Sequence, residues 1–257
     1  MGLLDDKVTI VTGAGRGIGA AAARLFAAEG AQLVLAARTG KEVEELAAEL
    51  RATGAPAVAV AADVSTADGA ERMVQAALDN FGRLDAAFDN AGSGPVPGPL
   101  ADRTEEEWDA VHAVNLRGNW LCLRAQLRAM VAGGRGGAIV INSGVGALVG
   151  GFGDGTQQAA KHGLTGLVRA ATADYAAHGI RTNAIAPGVT RSAGTEDYFL
   201  AGPEFEQAAS RATPLGRVAS ATEIAQAAAW LLSDRASYVT GVTLAVDGGM
   251  TAVLSIG

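Results

Sequence analysis

The sequence is poor in cysteine, in aromatic residues and in long apolar runs, and each scarcity excludes a class of protein. Cys122 is the single cysteine, so no internal disulfide can form, and a reducing cytoplasm is the expected location. Aromatic residues make up only 5%, and no apolar stretch approaches the roughly 20 residues that span a bilayer. The net charge is −7 without any basic run. Because phosphate binding needs clustered lysine and arginine, we expect neither a nucleic-acid partner nor a membrane.

What the sequence does contain is a regular alternation of short apolar runs and helical segments. Apolar runs with little polar alternation are typical of parallel strands buried on both faces. We therefore predict an α/β fold, a single doubly wound parallel sheet with helices on both faces, formed by one domain over residues 1–257. The predicted strands are residues 8–11, 32–37, 57–62, 84–88, 138–141, 181–185 and 243–246. Helices are predicted at 41–51, 67–80 and 155–177, and capping boxes at 104–107 and 220–223 open two more, the first of them long.

The turn after the first predicted strand has the glycine spacing of a phosphate-binding loop. It reads Thr12-Gly13-Ala14-Gly15-Arg16-Gly17-Ile18-Gly19. Glycines at this spacing permit a tight turn, close approach of a pyrophosphate and close helix–strand packing, while the helix N-terminus attracts the phosphates. A glycine turn alone also serves structural purposes, but its place between a strand and a helix favours the binding site. Gly13, Arg16, Ile18 and Gly19 are therefore predicted to bind a dinucleotide.

The second and third strands indicate which dinucleotide is bound. An acidic residue at the tip of the second strand would bind the ribose hydroxyls of NAD, but Ala37 stands there and Arg38 follows. Arg38, with Arg16, offers a cation for the 2′-phosphate of NADP, so NADP(H) is favoured over NAD(H). Both arginines also fit a solvated surface. Asp63 and Val64 close the third strand, where the carboxylate would accept from the adenine amino group or cap the next helix.

Four further segments resemble the short-chain dehydrogenases/reductases. Asp89-Asn90-Ala91-Gly92 is similar to the Asn-Asn-Ala-Gly motif of that family, and Val114-Asn115-Leu116-Arg117-Gly118 to its active-site asparagine segment. Pro187-Gly188-Val189 follows the sixth strand like the family's nicotinamide-contacting turn, and residues 214–249 resemble its bacterial members. The resemblance covers about residues 5–250. It implies a Rossmann domain that binds NAD(P) through Asn90, Ala91 and Gly92, assembled as a homotetramer or homodimer.

The family works with an asparagine, a serine, a tyrosine and a lysine, and this sequence matches only two of the four. Asn115 and Lys161 carry over directly. The tyrosine position, four residues before the lysine, is Gln157, and the serine position is Gly144, preceded by Ser143. A glutamine amide has no proton to release near neutral pH. The catalytic set carried over is Asn115, Ser143, Gln157 and Lys161, and the sequence leaves open whether Ser143 enters the site.

Three functional hypotheses remain. The first is NADP(H)-dependent reduction of a C=O or C=N group with a proton source other than tyrosine, such as a water held by Gln157 and Lys161, or Asp154 or Tyr198. The second is a non-redox isomerase, cyclase or lyase on the same scaffold, and the third a catalytically inactive NADP-binding protein. Residues 190–213 resemble a mobile substrate lid, and their aromatic residues together with Phe152 suggest a small, largely apolar substrate. No metal site is predicted.

Overall fold

A seven-stranded parallel sheet lies at the centre of the protein. The computed structural model describes residues 2–94, 98–151, 154–192, 195–200 and 202–253, with the backbone alone at 197 and 198. The strands are β1 (Val8–Thr12), β2 (Gln32–Ala37), β3 (Ala57–Ala61), β4 (Ala86–Asp89), β5 (Gly137–Asn142), β6 (Ile180–Pro187), β7 (Thr190–Arg191), β8 (Ala219–Ser220) and β9 (Thr243–Val246). The sheet order is β3-β2-β1-β4-β5-β6-β9, while β7 pairs with β8 separately. This topology confirms the predicted doubly wound α/β fold.

Nine α-helical segments are assigned within the described residues. They are α1 (Gly17–Ala28), α2 (Gly40–Ala52), α3 (Ala67–Phe81), α4 (Glu105–His112), α5 (Asn119–Gly133), α6 (Gly155–Tyr175), α7 (Glu196–Leu200), α8 (Pro203–Ala212) and α9 (Ala221–Leu232). Both predicted capping boxes are confirmed: Thr104 and Ser220 accept from the third residue of α4 and α9, and the glutamate there binds back. No helix in these ranges is long and apolar enough to cross a bilayer.

The apolar side chains form a layer on each face of the sheet. Helices α1, α2 and α9 cover one face, where Phe26 packs edge-to-face on Phe88 with the ring centroids 6.0 Å apart. Helices α3 and α5 cover the other face around Met73 and Met130. Cys122 is buried in this second layer, as a small apolar side chain would be. The central strands β1, β4, β5 and β6 are largely buried, so polar side chains gather at their carboxyl ends.

Several element boundaries differ from the sequence prediction by one or two residues. The fourth strand begins at Ala86 instead of residue 84, and just before it the Asp85 carboxylate accepts from the backbone N–H of Val8 at 2.9 Å. The long helix after Thr104 is interrupted by a π-helical turn at Ala113–Gly118. There the side-chain amide of Asn119 donates to the Asn115 carbonyl at 2.9 Å and competes with regular helical bonding. Asn115 therefore lies in a π-helical turn.

Candidate active site

A cleft of about 720 Å³ opens at the carboxyl ends of β1, β4, β5 and β6. It lies at the point where the strand order reverses on either side of β1, the usual ligand position of an open α/β sheet. Nearly all of the residues predicted from the sequence border it: Gly13, Arg16, Ile18, Arg38, Asp63, Val64, Asn90, Ala91, Gly92, Ser143, Gln157, Lys161, Pro187, Gly188 and Val189. Gly19 and Asn115 do not border the cleft, but each contacts a residue that does.

The glycine loop is held by the end of β4. Asn90 donates from Nδ2 to the carbonyls of Thr12 and Gly13 at 3.1 and 3.3 Å, and the Thr12 hydroxyl accepts from the backbone of Asn90 at 3.0 Å. Gly13 has φ +64°, and a Cβ there would lie 2.9 Å from the Cα of Ala91. At Gly19 a Cβ would meet the Gly13 carbonyl and Asn90. Only glycine therefore allows β1, α1 and β4 to approach this closely, leaving open backbone for a phosphate.

One end of the cleft carries the charges predicted for the adenosine half of a dinucleotide. Hydrogen bonds from the backbone N–H and hydroxyl of Ser65, together with the nearby Arg38 guanidinium, hold the pKa of Asp63 below its usual value. Thr66, not Asp63, caps α3 by accepting from the Gly69 N–H at 3.0 Å. Glu42 of α2 borders the same end, a carboxylate for which the sequence carries no motif.

The other end of the cleft is formed by the first turns of α6. Asp154 is 2% exposed and accepts from the backbone N–H of Gln157 at 3.0 Å, so this carboxylate caps the helix. The Gln157 side chain donates from Nε2 to the Ser93 carbonyl at 3.1 Å. One turn further, Lys161 donates from Nζ to the Asn142 carbonyl at 3.0 Å. Burial lowers the pKa of Lys161 to about 8, because it penalises the charged ammonium.

Asn115 reaches the cleft through Ser93, a residue that the sequence did not single out. The Asn115 side chain accepts from the Ser93 N–H at 2.9 Å and donates to the Ser93 hydroxyl at 3.0 Å. Since Gln157 binds the carbonyl of the same residue, Ser93 joins two predicted catalytic positions. The sequence signal was slight, because Ser93 simply follows the Asp89–Gly92 motif.

The hydroxyl of Ser143 is hydrogen-bonded to the backbone of α6. Ser143 is 8% exposed and donates from Oγ to the Lys161 carbonyl at 3.4 Å. Its neighbour Gly144 borders the cleft with φ +158° and ψ 163°, a backbone conformation that side-chain-bearing residues rarely adopt. A serine at position 144 would therefore strain the backbone, although a Cβ would meet no atom within 4 Å.

A hydrogen-bonded chain connects the two ends of the cleft. Asn142 donates from Nδ2 to Oδ1 of Asn90 at 2.8 Å, and its carbonyl accepts from Lys161. Asn90 in turn binds the backbone of the glycine loop. A displacement of Asn90 at the end of β4 would therefore disturb the contacts of both the phosphate-binding loop and Lys161.

The predicted lid segment, 190–213, contains β7, α7 and α8 and borders the cleft with Thr190, Ser192, Thr195 and Phe205. Phe205 packs edge-to-face on Phe199 at 5.2 Å, and Arg191 lies 4.3 Å from the Phe199 ring centroid. The side chains of Tyr198 and Phe152, both proposed from the sequence, lie outside the described residues. Among the described lid residues that border the cleft, Phe205 is apolar, while Thr190, Ser192 and Thr195 carry hydroxyl groups.

Comparisons with known proteins extend over nearly the whole chain. A family model described as enoyl-(acyl carrier protein) reductase matches residues 13–251. The A-factor type gamma-butyrolactone 1′-reductase (1S-forming) of Streptomyces virginiae is 47% identical over 250 residues, 97% of each chain. The 2,5-dichloro-2,5-cyclohexadiene-1,4-diol dehydrogenase of a Sphingobium indicum strain is 38% identical, over 97% of this chain and 99% of that protein. The crystal structure of levodione reductase superposes with a TM-score of 0.91 at 37% identity, over 98% and 100% of the two chains.

Proposed function

The chain belongs to the short-chain dehydrogenase/reductase family of oxidoreductases, and we propose that it uses NADP(H) to reduce a C=O or C=N group without a tyrosine acid. The observation that carries this proposal is the Gln157 amide, held on the Ser93 carbonyl one helical turn from Lys161. A bound nicotinamide cofactor supplies the hydride. The residues of the cleft then have to orient the substrate and provide a proton where one is needed.

The cleft fits a dinucleotide, and the two arginines at its adenosine end support NADP(H). Only glycine fits at position 13, where we expect the pyrophosphate to approach, and Lys161 borders the same cleft, where we expect it to bind the nicotinamide ribose. Arg38 and Arg16 border the adenosine end, and Ala37 leaves the tip of β2 without a carboxylate. We infer that Arg38 binds the 2′-phosphate through charge-assisted hydrogen bonds.

The proton for a carbonyl substrate is proposed to come from Lys161 through a water held beside Gln157. Removing a general acid typically lowers the rate about 10²–10⁴-fold, and neither the Gln157 amide nor Gly144 replaces one. With a pKa of about 8, the Lys161 ammonium is largely protonated at neutral pH and close to the optimum for an acid–base catalyst. An iminium substrate needs no proton, since hydride addition yields a neutral amine directly.

The names of the relatives and two apolar side chains of the cleft support a small ring compound as substrate. The two relatives described above are named for a butyrolactone and a cyclohexadiene diol. In this chain, Val145 and Phe205 border the catalytic half of the cleft. We further infer that copies of the chain form a homodimer or homotetramer, since Trp120 is 42% exposed beside an apolar groove that also contains Leu116 and Leu167. Light scattering measures the mass in solution.

A fluorescence titration tests the cofactor. We expect NADPH to bind about 10- to 100-fold more tightly than NADH, because charged hydrogen bonds are worth about 1.5–3 kcal/mol. Arg38→Ala removes that preference, whereas Arg72→Ala, which changes a remote arginine paired with Asp68, retains it. Equal affinity for the two nucleotides in the wild type contradicts NADP(H) selectivity, and absence of binding contradicts the whole proposal.

The catalytic part is tested with cyclohexanone and N-methylpyrrolinium, a cyclic iminium ion, while NADPH consumption is followed. Gln157→Tyr is expected to raise cyclohexanone reduction about 10²–10⁴-fold and to leave iminium reduction nearly unchanged. Gln158→Tyr, the same change one residue further along the cleft, is the matched control. A wild type that reduces the ketone as fast as Gln157→Tyr refutes the missing-acid argument. NADPH binding without consumption of either probe favours the alternative of a non-redox or inactive NADP-binding protein.

A further inference from the structure

Asp89, the last residue of β4, has its carboxyl group inside the apolar layer that α3 and α5 form. It is 1% exposed, and Oδ1 accepts from Nε2 of Gln126 in α5 at 2.7 Å. The paired position on β5 is Ile141, and the ionisable neighbour on α5 is Cys122. Burial keeps the Cys122 thiol neutral by raising its pKa. No cation pairs with Asp89 anywhere in the described ranges, so an ionised carboxylate here has no compensating charge.

One side-chain oxygen of Asp89 and the single side-chain oxygen of Gln126 are left without a hydrogen bond. Asp89 Oδ2 and Gln126 Oε1 are both buried, and neither has a partner among the described residues. Both are acceptors when Asp89 is ionised, so each bears the desolvation cost of an unsatisfied polar atom. A proton on Oδ2 turns one of them into a donor. Because the carboxyl and amide groups are planar and already joined at one side, Oδ2–H can donate to Oε1 and complete a two-point pair.

We propose that Asp89 is a proton-controlled positioning residue, a buried carboxylic acid that pairs with Gln126 when neutral, and that its ionisation loosens the cofactor loop and Lys161. Burial raises the pKa of Asp89 to about 7, against the opposing effect of the Gln126 hydrogen bond. The route to the cleft is covalent and short, since Asn90 follows directly and binds Thr12, Gly13 and Asn142. Asn142 in turn accepts from Lys161.

The chain offers a matched pair of variants for the test. Asp89→Asn keeps both hydrogen bonds, because an amide donates and accepts as the neutral acid does, but it has no proton to lose. It also restores the Asn-Asn-Ala-Gly motif to which residues 89–92 are similar. Asp79 in α3 accepts from Gln75 at the same 2.7 Å, but the pair is exposed. Asp79→Asn therefore repeats the chemical change without the burial.

The experiment combines infrared difference spectra with hydrogen exchange of the free protein at about pH 6 and about pH 8, corrected for intrinsic rates. A carboxylic-acid C=O band is expected to titrate near neutrality in the wild type and in Asp79→Asn, and to be absent from Asp89→Asn. Exchange of the amides in residues 12–19 and 90–92 is expected to increase several-fold from the lower to the higher pH, except in Asp89→Asn. Absence of the acid band at the lower pH, or the same pH response in Asp89→Asn, overturns the proposal.

NADPH affinity supplies a functional readout that rests on the proposed cofactor. We expect the wild type and Asp79→Asn to lose affinity severalfold across the same pH range, and Asp89→Asn to lose less. If NADPH fails to bind at any pH, the cofactor assignment is wrong, while the infrared and exchange results still decide the role of Asp89. An affinity that falls equally in all three proteins contradicts the positioning role.

Discussion

Replacing Asp89 with asparagine should change how the stability of the protein depends on pH. The pKa of this buried carboxyl is raised from 3.8 to about 7. The shift is roughly three pKa units, and at 1.36 kcal/mol per unit it amounts to about 4 kcal/mol. Native domains have unfolding free energies of only about 5–15 kcal/mol, so the effect is a substantial part of the total.

The direction follows from the protons bound in each state. Between about pH 4 and pH 7 the folded protein keeps a proton on Asp89 that the unfolded chain has released. The wild type therefore loses stability from this group as the pH rises through that window, and the loss stays constant above it. Asp89→Asn carries no such proton. Its stability relative to the wild type should rise by about 4 kcal/mol between about pH 4 and pH 7 and then remain level.

Urea unfolding at fixed protein concentration and ionic strength measures this difference. Fixed concentration matters because association of subunits would shift the midpoint. Comparison of two variants cancels the titration of all other groups, and Asp79→Asn reports the effect of losing an exposed carboxylate. A pH-independent difference between Asp89→Asn and the wild type would refute the reasoning. So would a relative stability of Asp89→Asn that falls as the pH rises, since Asp89 would then be stabilising as an ion.

Two further predictions concern the cleft. Because the pKa of Lys161 is lowered to about 8, its acid form is lost as the pH rises through that value, so carbonyl reduction should decline above about pH 8 in a pH–rate profile. A rate that climbs with pH instead would exclude the lysine as proton source. Gly13→Ala should reduce NADPH affinity at least about tenfold, whereas Gly54→Ala, with φ +90° but no atom within 4 Å, should alter only the melting temperature. Equal loss of NADPH affinity in both variants would mean that the close approach to Ala91 is unimportant.

Most of the local structure was predictable because it depends on residues close together in the chain. The apolar runs predicted all seven strands of the sheet, with boundaries within about two residues. The capping boxes at Thr104 and Ser220 were recognisable because cap and partner are three residues apart. The π-helical turn around Asn115 escaped prediction, since the apolar periodicity there is that of a continuous helix.

By itself, the sequence determined the order of strands and helices, the glycine loop, and the residue types at positions 157, 144 and 161. It did so because hydrophobic periodicity, glycine spacing and caps act over a few residues. Only the tertiary structure decided what those side chains contact. Ser93 meets Asn115 and Gln157 across 22 and 64 residues, and Asp89 meets Gln126 across 37. Burial removes water from the side chains that the fold encloses. It raises the pKa of Asp89 and lowers the pKa of Lys161, and no local sequence pattern encodes either shift.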